Sequence, residues 1–285
     1  MTLKSSKFEL SKRFVNLPNG NLLSYAEFGP SSGPPAMFIH GFTDSALTWL
    51  PLIPHFPSDR RLILVDLRGH GASSQPETGY RLEDLAGDMA LFISAMKLDG
   101  VDLVGHSLGS LVAQRVAQEL PTIVNRLALI SSTATAFFSE DEQRLADAIA
   151  ELKDPIDPDS EFLVSWFTNP NPVDPEFLAL ERRGAAQMPA HIWRTIFNDA
   201  LNLKDLTASF EKLEAPVLLI WGGMDPIFGP RHRASLQSAL PKASVKLYVS
   251  LGHNPFWEEP ALIAGDLTDF FRQPPLRNST ASPRP

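Results

Sequence analysis

The sequence predicts an α/β protein: a mostly parallel, doubly wound sheet of eight strands with an inserted helical cap. Three observations lead there. Short continuous apolar runs such as Leu62-Ile63-Leu64-Val65 alternate with stretches of helical periodicity, the pattern of strands covered by helices on both faces. One such run, Val101 to Val104, passes straight into Gly105-His106-Ser107-Leu108-Gly109, which turns a strand into a helix. The residues able to do chemistry fall where strands end, the edge at which such sheets meet their ligands.

Taken in order, Phe8 to Val15 and Leu22 to Phe28 read as strands joined through Leu17-Pro18-Asn19-Gly20-Asn21. Asn-Gly there supplies the positive φ angles of a tight hairpin. Ala36 to His40 reads as a buried strand, Ala46 to Phe56 as a helix and Arg61 to Asp66 as another buried strand. Leu82, Leu85, Met89, Phe92 and Met96 recur three and four apart, so Arg81 to Leu98 should form a helix with one apolar face. The strand through Val104 is followed by a helix carrying Leu111, Val112 and Val116, then by the strand Arg126 to Ile130.

From residue 134 to 206 the pattern changes. No β-branched run appears, and Pro155, Pro158, Pro170, Pro172, Pro175 and Pro189 interrupt helical stretches. This segment reads as a helical cap between the sixth and seventh strands, lying over their ends. The sheet resumes with Pro216 to Trp221 and Ser244 to Val249, and a helix near Glu258 to Arg272 closes it. Residues 1–133 and 207–272 thus form the expected core domain. Residues 273–285, proline-rich and mostly polar, read as a disordered tail.

A chain of 285 residues can hold one large core or a core with an inserted subdomain. Its net charge of −8 argues against nucleic acid or an anionic membrane as partner. With no cysteine, disulfides, thiol chemistry and cysteine-based zinc frameworks are excluded. Met1 to Lys7 carries basic residues with no apolar stretch behind them, so neither a secretory signal nor a membrane span is expected. The expectation is a cytoplasmic monomer or homodimer acting on a small molecule.

The chemistry centres on Ser107. An abrupt strand-to-helix turn forces the middle residue of Gly-x-Ser-x-Gly into a strained conformation, and glycines two before and two after remove the clashing side chains. The serine oxygen then stands above the sheet, with the Leu108 amide aimed where negative charge develops on an attacked carbonyl. A serine hydroxyl is a weak nucleophile without a base and an orienting acid. His253 follows the strand Ser244 to Val249, and Asp225 follows the strand Pro216 to Trp221. The order Ser, Asp, His suits a nucleophile on such an elbow. Asp225 precedes Pro226, so a simple turn residue is the competing reading.

On these motifs the chain resembles the α/β-hydrolase fold family, over nearly its whole length. Phe38-Ile39-His40-Gly41-Phe42 looks like the family's oxyanion motif, which implies the Phe42 amide as a second donor beside Leu108. Asp66 to Ser73 and Gly252 to Pro260 are similar to two further family segments. The resemblance implies a serine esterase or lactonase working through Ser107, Asp225 and His253, with no metal and no cofactor. Carbon–carbon bond hydrolases and cofactor-free perhydrolases share this triad and stay open. Epoxide hydrolases and haloalkane dehalogenases carry aspartate where Ser107 stands and are disfavoured. A non-catalytic ligand-binding protein on the same framework is the alternative from another class.

Cap aromatics are the remaining clue to specificity. Trp166, Trp193 and Phe137 are the pocket candidates, with Phe138, Phe162, Phe167, Phe177 and Phe197 in the same segment. They suit a small to medium, largely apolar ester or lactone; packing between cap and core is the competing reading for each. Arg182, Arg183 and Arg194 could bind a carboxylate or form a solvated helix face. His40, His70 and His106 read as structural.

Overall fold

In the order β1-β2-β4-β3-β5-β6-β7-β8, eight strands form one sheet. The computed structural model describes residues 11–135, 140–201 and 207–274. The strands are β1 (Arg13–Asn16), β2 (Leu22–Phe28), β3 (Pro35–Ile39), β4 (Arg61–Val65), β5 (Val101–His106), β6 (Val124–Ile130), β7 (Val217–Gly222) and β8 (Ser244–Tyr248). β1 and β2 pair antiparallel with each other, β2 pairs antiparallel with β4, and every other pairing is parallel. The predicted fold class is the one observed.

The reason lies in burial. Leu62 to Val65 in β4 and every residue of β5 and β7 are buried, which requires helices on both faces. Those around the sheet are α1 (Leu82–Ala95), α2 (Leu108–Glu119), α7 (Pro230–Ala239), α8 (Pro255–Glu258) and α9 (Pro260–Arg272). On α1 the buried residues Leu82, Leu85, Met89 and Phe92 follow the spacing read from the sequence. β8 is the opposite case: at the sheet edge, four of its five residues are exposed, and Lys246 pairs with Asp266 of α9. Charge on an edge strand discourages pairing with another chain.

Three local expectations are corrected. Ala46 to Phe56 is not one helix but two short tight turns, Ala46–Trp49 and Ile53–His55. Pro51 and Pro54 lack the amide hydrogens that a continuous helix needs there. In the first hairpin only Gly20 has positive φ, at 89°. Its amide donates to Leu17 O at 3.0 Å, so the connection is a wider loop with Pro18 setting the turn rather than a two-residue turn. Arg126 Nε donates 2.9 Å to the carbonyl of Gln273, so the chain is still tied to the core where the tail was expected to begin; residues 275–285 lie outside the described residues.

Between β6 and β7 the chain passes through α3 (Glu140–Ala150), α4 (Glu161–Trp166), α5 (Pro175–Ala186) and α6 (Ala190–Asp199). Register places the carboxyl ends of five strands side by side: Ile39 opposite Gly105, His106 opposite Ile130, Ile130 opposite Ile220 and Gly222 opposite Tyr248. The loops leaving these ends, together with α3, α4 and α6, enclose a cavity of about 760 Å³.

Candidate active site

Ser107 stands between β5 and α2 with φ 49° and ψ −120°, a region costly for any residue with a side chain. Its neighbours explain how the chain reaches it. A Cβ at Gly105 would stand 2.4 Å from the carbonyl oxygen of Gly109, and one at Gly109 would stand 2.2 Å from that of Ile39. Strand, elbow and helix therefore touch backbone to backbone, which only glycine permits. Ser110 Oγ donates 2.6 Å to the Ser107 carbonyl, and the Ser107 amide donates 3.1 Å to Ile130 O, pinning the turn.

Asp225 and His253 meet at the exits of β7 and β8. His253 Nδ1 lies 3.0 Å and 2.9 Å from the two carboxylate oxygens of Asp225. Asp225 Oδ1 also accepts from the amides of Ile227 at 2.8 Å and Phe228 at 3.0 Å. Burial alone would raise the Asp225 carboxyl, but the adjoining His253, its hydrogen bond and the two amides outweigh it and hold the group below the usual carboxylate range. The acid is thus kept ionised and aimed at one ring nitrogen of the imidazole.

The carbonyl of His253 accepts from Ser131 Oγ at 2.7 Å and from His106 Nε2 at 3.0 Å. Its loop is bound to the inserted segment as well: Asn171 Nδ2 donates to Ser250 O at 2.7 Å, and Asn254 Nδ2 to Asn169 Oδ1 at 3.3 Å. Trp257 Nε1, on α8, donates 3.0 Å to Thr48 Oγ1. Ser107 and His253 both line the cavity. The hydrogen bonds found in the site include none between Ser107 Oγ and His253 Nε2; such contacts commonly tighten only when substrate is bound.

Phe42 lies on the loop leaving β3 and Leu108 just beyond the end of β5, and these strands are paired neighbours. Leu108 opens α2, so its amide has no partner within the helix and is free to face a ligand. Phe42 lines the cavity, with its ring against those of Trp166 at 6.0 Å and Trp193 at 5.2 Å.

The pocket candidates divide. Trp166 lines the cavity and donates through Nε1 to Thr43 Oγ1 at 2.9 Å. Trp193 does not line it. Fully buried, it donates to Ala185 O at 3.2 Å and supports the back of Phe42. Its place on the inward stripe of α6 with Ile192 and Ile196 makes it packing, the competing reading. Phe137 and Phe138 lie outside the described residues. Phe162, Phe167 and Phe197 line the cavity, whereas Phe177 packs edge-on against Trp257 at 5.5 Å.

Among the arginines, Arg194 donates to Leu152 O at 2.8 Å and Arg182 to Pro158 O at 3.1 Å; neither lines the cavity. His40 and His70 are structural as expected. His40 accepts the Leu67 amide at 3.0 Å, and His70 Nδ1 donates 3.0 Å to Arg68 O. Among the wall residues given no role by the sequence reading, Trp257 and Asp44 stand beside its motifs. Trp257 lies four positions beyond His253, and Asp44 lies two beyond Phe42. Their proximity to motif residues was the available signal.

A family model for the alpha/beta hydrolase fold matches residues 34–260. The chain is 29% identical over 281 residues to a non-heme chloroperoxidase of Streptomyces lividans, with 90% of this chain and 99% of that one covered. It is 27% identical over 208 residues to the 3-oxoadipate enol-lactonase 2 of Acinetobacter baylyi, covering 72% and 76%. An esterase of known structure from a Rhodococcus species superposes with a TM-score of 0.77 at 25% identity, covering 91% of this chain and 98% of that one.

Proposed function

The chain belongs to the α/β-hydrolase fold family, and from that premise we propose that it is a serine hydrolase. Its substrate in this reading is a carboxyl ester or lactone, small to medium and largely apolar, cleaved through an acyl-enzyme. The observation that carries the proposal is the Asp225–His253 pair, its imidazole in the wall of the same cavity as a serine held at φ 49°.

In the first half-reaction Ser107 Oγ bonds to the carbonyl carbon as its proton passes to His253 Nε2. Asp225 holds the Nδ1–H tautomer and stabilises the imidazolium. The amides of Phe42 and Leu108 receive the oxyanion, each worth roughly 10²–10³ in rate. The tetrahedral species then expels the alkoxide, which takes the proton from His253. In the second half a water attacks the acyl carbon, giving its proton to His253, and Ser107 leaves with that proton restored. Residues of the inserted segment, Trp166 and Phe162 among them, cover the acyl or alcohol group and exclude bulk water.

Likeness to the non-heme chloroperoxidase favours one second reading, cofactor-free perhydrolysis on the same triad with hydrogen peroxide attacking in place of water.

A fluorophosphonate probe and a graded series of aryl esters and lactones test the proposal. The folded chain should be labelled once and release phenol from the esters. Ser107→Ala should lose both, and a chain neither labelled nor active would overturn the reading. Peracid formation from a carboxylic acid and hydrogen peroxide, faster than ester hydrolysis, would favour the second reading.

A further inference from the structure

Asp44 is the only aspartate, glutamate, lysine or arginine among the described residues lining the cavity. Its side chain is 7% exposed, and its one ion-pair contact within 4 Å among the described residues is His106 Nδ1 at 3.6 Å. That contact supplies no positive charge. His106 donates its Nε2 hydrogen to the His253 carbonyl, so a neutral ring presents only a lone pair at Nδ1. Burial disfavours the imidazolium and lowers the group, against the opposing pull of Asp44. Lys12, which enters the same buried region, is bound to Asp66 at 3.1 Å. Asp44 is also fixed in place: Thr43 before it has φ 69° and accepts the Trp166 indole, and the Asp44 amide closes a turn to Gly41 O at 3.3 Å.

The remaining walls are aromatic, aliphatic, uncharged polar or imidazole side chains, with Phe42, Trp166, Phe162, Leu111, Asn254 and His253 among them and no lysine or arginine among the described residues. A substrate carboxylate entering here would lose its hydration beside a like charge. At 4–6 Å, with the screening typical of a site near a protein surface, repulsion alone amounts to roughly a 100-fold penalty or more. An uncharged ester meets no such penalty and fills the apolar walls.

Resting on the serine-hydrolase reading, we propose that the substrate of this site is uncharged. Asp44 is the specificity residue that turns away esters and lactones carrying a carboxylate.

Three esters matched in chain length test this on the full-length protein, with phenol release as readout: phenyl hexanoate, phenyl methyl adipate and monophenyl adipate. The last differs from the first only by a carboxylate in place of the terminal methyl, and the second is a neutral control for its size. For the wild-type chain kcat/KM on monophenyl adipate should lie about 100-fold or more below that on phenyl methyl adipate. In Asp44→Asn that ratio should shrink to about 10-fold or less, whatever happens to the activity on neutral esters. Asp44→Ser replaces it should Asp44→Asn not fold, with thermal unfolding as the check. A wild-type ratio near one overturns the proposal. A large ratio unchanged in both variants overturns the role of Asp44. If none of the three esters is cleaved and no fluorophosphonate labelling occurs, it is the hydrolase reading that fails.

Discussion

His106 and His253, 147 positions apart, are joined by a hydrogen bond of 3.0 Å from the ring Nε2 of the first to the backbone carbonyl of the second. Their rings lie 4.9 Å apart, and Phe256 and Trp49 pack on the His106 ring. The residue next to the serine thereby fixes the height of the loop that carries the imidazole. Replacing His106 by Ala removes this donor and leaves Ser131 Oγ as the other support. The expected result is a fall in kcat of about 10-fold with KM little changed, since misplacement of a base costs rate more than binding. Steady-state kinetics on an aryl ester measure this; a fall confined to KM would contradict a positioning role.

Gly222 at the end of β7 faces the β8 exit with no space between backbones. A Cβ there would lie 2.0 Å from Gly252 O and 2.3 Å from Leu251 O. Gly222→Ala must push Gly252 and His253 away from Asp225. Urea denaturation should show a loss of at least about 2 kcal/mol, and fluorophosphonate labelling of the fraction that stays folded should slow markedly. Wild-type stability in this variant would refute the close approach.

Glu181 on α5 is 2% exposed, and its Oε1 is buried without a partner. Burial, with Asp44 and Asp66 adding to it against Lys12, holds its carboxyl well above the usual range. A raised acid binds its proton in the folded chain at pH values where the unfolded chain has lost it. Its contribution is therefore full below the ordinary glutamate value and falls as pH rises through the folded one. Glu181→Gln should raise Tm at neutral and alkaline pH, by a few degrees, and flatten the decline on that side. Thermal unfolding from pH 5 to 9 reads the difference.

Acid should act through His70. Burial, with His40 nearby adding to it, pushes the ring from 6.5 down to about 3. The folded chain keeps it neutral while the unfolded chain takes up a proton below 6.5. Stability is complete above that value and is lost as pH falls toward 3. His70→Asn, which keeps a donor for Arg68 O, should show a shallower loss of Tm between pH 6.5 and 4 than the wild-type chain.

Much of this was legible one segment at a time. The apolar runs of β3, β4, β5 and β7 fixed a buried parallel sheet, because a strand covered on both faces tolerates little else. The turn at Ser107 was readable because its glycines answer a local clash that any such elbow meets. Short-range order also placed Asp225 and His253 after their strands. Over Ala46 to Phe56 the expected helix gives way to two short turns, because Pro51 and Pro54 lack the donors a continuous helix needs.

Three-dimensional packing decided the rest. Trp166 and Trp193 have the same chemistry and lie 27 positions apart in one segment, yet one lines the cavity and the other is sealed behind Phe42. Which side of a helix faces a void depends on what the opposite element supplies, and that information is not local. Asp44 is the same case in charge. Its significance comes from what does not stand opposite it in the cavity wall. The sequence by itself thus determined the sheet, the elbow and the order of the three chemical groups, since each follows from local steric and solvation rules. Only the tertiary structure decided the distance between Asp225 and His253, the shape of the cavity and the presence of Asp44 in its wall, because these depend on residues brought together from distant parts of the chain.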